Sequence, residues 1–192
     1  MRAINFLFII TILNYFNDSS IEPQNIIWIK EIKLKWSDFK GAPKENTVLA
    51  AVSSVGISYK EISHSIDKYF FEVNAEFEKN KSWVWSKKAS DSILVHEQGH
   101  FDLAEIYARK MRQGLISNQF QFTRKNIIQE IHKVLDLYAD SLSIMQQNYD
   151  LAFSKNYDKQ EEWNLYIKKE LKCLEKYKYR FVDVYLKKEE NK

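Results

Sequence analysis

Leu94-Val95-His96-Glu97-Gln98-Gly99-His100-Phe101-Asp102 is the stretch on which the reading of this chain turns. It lies in a proline-free segment, from about Ser90 to Ile116, whose apolar residues recur at helical spacing, so one long helix is expected there. Side chains four positions apart on a helix are separated by about 40° around the axis and by one turn along it. His96 and His100 can therefore serve one ion together, with Glu97 projecting beside them. Two imidazoles and a carboxylate in the pattern H-E-x-x-H are the donors and the general base of a zinc hydrolase.

The helical wheel gives a second argument. Relative to His96, the residues Ile93, Leu94, Phe101, Ala104, Ala108, Met111 and Leu115 fall within an arc of about 100°, which is the face that packs on a core. Glu97 falls inside that arc and the two histidines lie at its edge. A carboxylate among apolar neighbours is costly unless something compensates it, and a metal with its water is such a compensation. The bland alternative is a helix with two ordinary histidines and a tolerated glutamate.

Composition sets the frame. The chain has 192 residues, 45% of them hydrophobic and 15% aromatic, with 4 Gly and 2 Pro, which describes one globular domain with a substantial core. The net charge is +3 and the signs are mixed along the chain, so no nucleic-acid footprint is present. Arg2 followed by the apolar run Phe6 to Leu13 and the polar exit Asn14 to Ser20 reads as a secretory signal peptide over residues 1–20. That run is too short for a stable membrane span. The mature domain is then 21–192, secreted or held in the periplasm or cell envelope. Cys173 is the single cysteine, which excludes an internal disulfide, and its place in an amphipathic stretch reads as a small buried side chain.

The first half after the leader reads as strands and the second as helices. Trp28 to Trp36 alternates, with Trp28, Ile32, Leu34 and Trp36 on one face. Thr47 to Tyr59 is rich in β-branched and small residues. Tyr69 to Phe77 alternates cleanly, with Tyr69, Phe71, Val73, Ala75 and Phe77 on one face. Thr123 is the expected N-cap of a second helix carrying Ile127, Ile131, Val134, Tyr138, Leu142 and Met145. A third helix is expected from about Asp158 through Trp163, Ile167, Leu171, Leu174 and Tyr177. Lys187 to Lys192 reads as a solvated tail. The expected fold is α+β, an N-terminal antiparallel-rich twisted sheet packed on a C-terminal helical half, with H-E-x-x-H on the first long helix.

Trp36-x-Asp38-Phe39-x-Gly41-x-Pro43, Ser82-Trp83, the block Leu94 to Asp102, Tyr149-Asp150 and Gln160-x-x-Trp163 follow one another in this order. In this the chain resembles the DUF922 family of predicted secreted zinc-dependent proteases, over nearly all of its mature length. The resemblance implies a zincin-like fold and a metallopeptidase activity, with zinc as cofactor and a peptide or protein as substrate. One departure bears on the metal. Family members often continue after Tyr-Asp with a Glu-Thr-x-His run, where this chain has Ala152-Phe153-Ser154-Lys155. If that histidine is the third ligand of the family, this chain lacks it.

A catalytic zinc site takes three protein ligands and leaves one position open. Asp102 and Glu105 lie about 120° and about 180° from His96 on the wheel, so the third ligand comes from another segment. Asp150 is the first choice, because it follows the second helix and belongs to the Tyr149-Asp150 block of the resemblance. His64, His132, Glu130 and Asp158 stay open as alternatives. Glu97 is assigned as general base, with water activated by zinc. Asp102 is a candidate to orient a ligand, and Tyr149 and Tyr107 are candidate oxyanion donors. The Tyr69–Phe77 strand is a candidate platform for an extended peptide. A binding module of the envelope on the same scaffold, with weak or lost turnover, is the competing reading.

Overall fold

The computed structural model describes residues 24–45, 47–118, 120–121, 127–155 and 159–187. The leader reading over 1–20, Thr123 as a cap and Asp158 as a ligand lie outside the described residues.

Among the described residues the architecture is α+β, an antiparallel sheet with three α-helices. Its centre is β4 (Lys68–Glu78), whose alternation buries Phe71, Val73, Ala75 and Phe77 on one face. β3 (Val55–His64) pairs antiparallel along one edge of β4, from Val55 opposite Phe77 to His64 opposite Tyr69. The hairpin closes with the Ser65 amide donating to the Lys68 carbonyl at 2.7 Å and the Ser65 hydroxyl to Asp67 at 2.8 Å. The other edge of β4 is shared end to end. β1 (Asn25–Ile27) takes Glu76 to Glu78, and β7 (Phe181–Lys187) takes Lys68 to Glu72. β6 (Phe120–Gln121) adds to β7 in parallel. A separate small ladder joins β2 (Ala51–Val52) to β5 (Trp83–Val84).

α1 (Asp91–Ser117) starts at Ser90, whose hydroxyl accepts from the Ile93 amide at 3.3 Å. From His96 onward it is buried on almost every side. One side packs on the sheet, where Phe101 meets Phe77 with ring centres 6.0 Å apart. The others meet α2 (Ile127–Lys155) and α3 (Lys159–Cys173). α2 presents Ile127, Ile131, Leu135, Leu142 and Tyr149 to the core, and α3 presents Ile167. None of the helices among the described residues is long and apolar enough to cross a membrane.

Four expectations need correction. Trp28 to Trp36 is not a strand: the ladder of β1 ends where the Trp28 amide meets the Ala75 carbonyl at 3.0 Å, and a turn follows, closed by the Ile32 amide on the Ile29 carbonyl. The Leu34 amide then donates to the Gln98 side chain at 2.8 Å, so this segment lies over α1 as a loop that still buries Leu34. Thr47 to Tyr59 divides at Ser53-Ser54, with β2 and β3 joining different sheets. The C-terminal half is not all helix. α3 ends at Cys173, a 3-10 turn covers Glu175–Tyr177, and β7 returns to the sheet with Val182 and Val184 buried. Cys173, the last residue of α3, is exposed rather than buried.

Candidate metal centre

Three helices build one cluster. On α1, His96, Glu97 and His100 are all buried. On α2, Gln146, Tyr149, Asp150 and Phe153 recur at spacings of three and four, so they form one face, and that face meets the histidines. α3 contributes Gln160 close to its start.

The Nε2 atoms of His96 and His100 lie 3.2 Å apart, and Asp150 Oδ1 lies 3.2 Å from the first and 2.9 Å from the second. These three groups can hold a metal ion. Two imidazole nitrogens and one carboxylate oxygen gathered so closely are donors that would suit a divalent metal such as zinc. Asp150 is exposed toward an open groove of about 900 Å³, which leaves one side of the cluster accessible.

The ring nitrogens facing away from Asp150 are also held. His96 Nδ1 meets Gln160 Oε1 at 3.1 Å, and His100 Nδ1 makes a short contact with Gln146 Oε1. Gln146 Nε2 donates to the His100 carbonyl at 3.0 Å. The Tyr149 hydroxyl donates to the His96 carbonyl at 3.2 Å and accepts from Gln160 Nε2 at 2.6 Å. His96 is packed between two rings, Tyr149 at 4.4 Å and Phe153 at 4.0 Å between centres.

Electrostatics follow from this packing. Burial works against a charged His100, but the bond to Asp150 and the charges of Glu97 and Asp150 outweigh it and raise its pKa. Burial alone would push Asp150 up, yet the hydrogen bonds of His100 and His96 hold its carboxyl well below the usual range. Burial drives the Tyr149 phenol far above its ordinary value, so it stays a donor. Glu97 Oε2 is buried with no hydrogen-bond partner among the described residues, although Glu97 lines the groove. A buried carboxylate oxygen in that state carries a desolvation cost.

The other sequence candidates lie elsewhere. Asp102 accepts from Trp28 Nε1 at 2.7 Å and from Gln98 Nε2 at 2.8 Å, so it fixes the loop after β1 and none of its bonds reaches a histidine. His64 is exposed and bonded to Glu61, and His132 is exposed on α2 with its ring near Tyr59. Glu130 is exposed in the first turn of α2. Tyr107 is buried beside Lys110, three turns along α1. The Tyr149 hydroxyl is committed to the His96 carbonyl and Gln160, which leaves it no proton for an oxyanion. β4 cannot receive a peptide by strand addition, because β3 takes one edge and β1 with β7 the other. The strands that line the groove are β2 and the start of β3, Val55 to Ile57, with Ser53 and Ser54 between them. Gln146 and Phe153 carry no sequence signal beyond their helical spacing from Asp150.

Comparison of the chain with protein-family models, with curated proteins and with solved structures finds no match.

Proposed function

We propose that this protein is a secreted zinc metallopeptidase of the zincin-like, DUF922 kind, hydrolysing peptide bonds in the groove above His96 and His100. The observation that carries the reading is the meeting of His96 Nε2, His100 Nε2 and Asp150 Oδ1 beside Glu97, whose Oε2 is buried without a partner among the described residues. Two nitrogens and one oxygen are a donor set that suits zinc, and a buried acid beside them has no evident structural use. Zinc held there would polarise a carbonyl and bring the pKa of water to ~7.

The chain's own residues supply the rest. His96 and His100 come from adjacent turns of the buried part of α1, so their positions are rigid. Asp150 completes the set from α2, which dispenses with a histidine after Tyr149-Asp150. Glu97 takes the proton of the attacking water at its carboxylate and passes it to the leaving nitrogen. Along the groove, Ala51 and Val52 present the backbone of a two-stranded ladder, and Leu142, Leu151 and Phe153 present apolar surface opposite. An extended peptide with uncharged side chains suits such walls. Export rests on Arg2 and the apolar run after it.

The test is zinc content of the purified protein together with hydrolysis of a mixed peptide library. About one zinc per chain and discrete cleavages, both abolished by a chelator and restored by zinc, are expected. Zinc-free protein that takes up none on titration would overturn the reading. Zinc binding with no cleavage would favour an envelope binding module instead.

A further inference from the structure

We infer that each histidine of the cluster has its tautomer set by its own backbone carbonyl, through a glutamine amide, so that Gln146, Gln160 and Tyr149 are positioning residues for the metal. This rests on the metal reading of the cluster but not on peptide hydrolysis.

The argument starts from the one group that cannot change role. A backbone carbonyl only accepts. The His100 carbonyl accepts at 3.0 Å from Gln146, so the atom facing it is the amide nitrogen. Gln146 therefore turns its oxygen to His100 Nδ1, and that nitrogen must carry the proton. The other nitrogen, Nε2, is left to present its lone pair toward the point it shares with His96 and Asp150.

At His96 the chain is one link longer. The His96 carbonyl accepts from the Tyr149 hydroxyl at 3.2 Å, which uses the only proton Tyr149 has. The hydroxyl must then accept from Gln160 at 2.6 Å, so the amide nitrogen of Gln160 faces it. The same nitrogen donates to Asn164 Oδ1 at 2.9 Å, which uses both amide protons. Only the oxygen of Gln160 remains for His96 Nδ1, at 3.1 Å. The path leaves His96 at its carbonyl and returns to it at its ring. Two independent relays thus aim two Nε2 atoms at one site, as ligand histidines require. Both relays end in neutral carboxamides, which orient a ring without the added basicity that a carboxylate would lend it.

The experiment is zinc affinity, by chelator competition at fixed pH, for wild type, Gln146→Ala, Gln160→Ala and Tyr149→Phe, with circular dichroism to check folding. Each Gln→Ala variant should lose about 10–100-fold in affinity. Tyr149→Phe is the sharper probe. It keeps the ring stacked on His96 and removes only the hydroxyl that orients Gln160, so a packing role predicts no change and the relay predicts a several-fold loss. In a Gln160→Glu background the carboxylate accepts from Nδ1 whichever oxygen faces it. Tyr149→Phe should then have no further effect. Wild-type zinc binding with unchanged affinity in Tyr149→Phe and Gln160→Ala would overturn the relay. A wild type that takes up no zinc would overturn the metal reading and the relay with it.

Discussion

Gly99 of α1 faces the ring of Tyr149 of α2 so closely that a Cβ on it would come within 2.6 Å of Tyr149 Cζ. The glycine between Glu97 and His100 is therefore a packing requirement of this fold. It lets α2 approach until the Tyr149 hydroxyl reaches the His96 carbonyl and Asp150 reaches both imidazoles. A second glycine, Gly114, makes room for Tyr138 in the same way in the last turn of α1.

Gly99→Ala should accordingly damage the site without touching a ligand. Forcing a methyl group into a filled crossing costs about 1–3 kcal/mol, which exceeds the fraction of a kcal/mol that alanine gains in a helix over glycine. Urea denaturation should show lower stability, and zinc titration weaker binding, because Asp150 is carried away with α2. An unchanged denaturation midpoint would show that α2 is not pressed on Gly99.

A buried charge cluster on α1 offers a separate test of the fold. Glu105 accepts from Arg109 Nε at 2.8 Å and from Arg112 Nη1 at 3.0 Å, with all three side chains almost wholly enclosed. Arg112 also donates to the Val73 carbonyl of β4 and the Tyr177 carbonyl, and Arg109 to the Leu171 carbonyl of α3. Glu105→Ala leaves the buried Arg112 without its counter-ion and Arg109 with only the half-exposed Glu175 at 3.4 Å, which should cost about 3–5 kcal/mol. A thermal midpoint within a degree or two of wild type would count against that cluster.

Sequence and structure part company for identifiable reasons. β4 is legible because it buries one alternating face, Phe71 to Phe77, and α1 because its apolar residues from Phe101 to Leu115 recur at helical spacing, although its other sides are buried too. Trp28, Leu34 and Trp36 mimic a strand, but their backbone partners are Ala75 and the Gln98 side chain, which no local pattern reveals. In β7, Val182 and Val184 alternate with Phe181 and Asp183, but the run is short and lies between a helical stripe and a lysine-rich end, so its period carries little signal. His96, Glu97 and His100 stand at fixed spacing on one element and announce themselves. Asp150 is legible through the Tyr149-Asp150 block of the resemblance, but it lies within α2 and not after it, because the helix continues to Lys155. Gln146 is uncharged and unremarkable in sequence, and its role exists only once three helices are packed.

The metal-free cluster should also leave a signature in the pH dependence of stability. The folded pKa of His100 is raised above 6.5, so its contribution is complete below about pH 6.5 and is lost as pH rises through the folded value. The folded pKa of Asp150 is lowered below 3.8, so its contribution is complete above about pH 4 and is lost as pH falls through the folded value. Chemical denaturation of chelated wild type and Asp150→Asn, from pH 4 to 9, should show the stability difference widest between about pH 4 and 6.5 and shrinking above. A difference that stays constant across that range would mean that Asp150 and His100 do not titrate as a pair. Zinc should reverse the trend, since it competes with the same protons and binds better as pH rises.

Glu97 separates hydrolysis from binding. Its Oε2 atom is buried without a partner among the described residues, so the fold itself draws no hydrogen bond from it. Glu97→Gln keeps the shape and removes the capacity to take a proton. If Glu97 is the general base, the variant should bind zinc about as wild type does and lose peptide hydrolysis by at least about 100-fold. Its thermal midpoint should hold or rise, because a neutral amide costs less to bury than an unpaired carboxylate. A binding module would show the same zinc content and the same stability gain, with no cleavage in either protein. Equal cleavage rates in wild type and variant, at equal zinc content, would remove Glu97 from the chemistry and move the base to another group in the groove. Zinc content, thermal midpoint and cleavage rate measured side by side on the two proteins therefore distinguish a peptidase with Glu97 as base, a peptidase with another base, and a binding module.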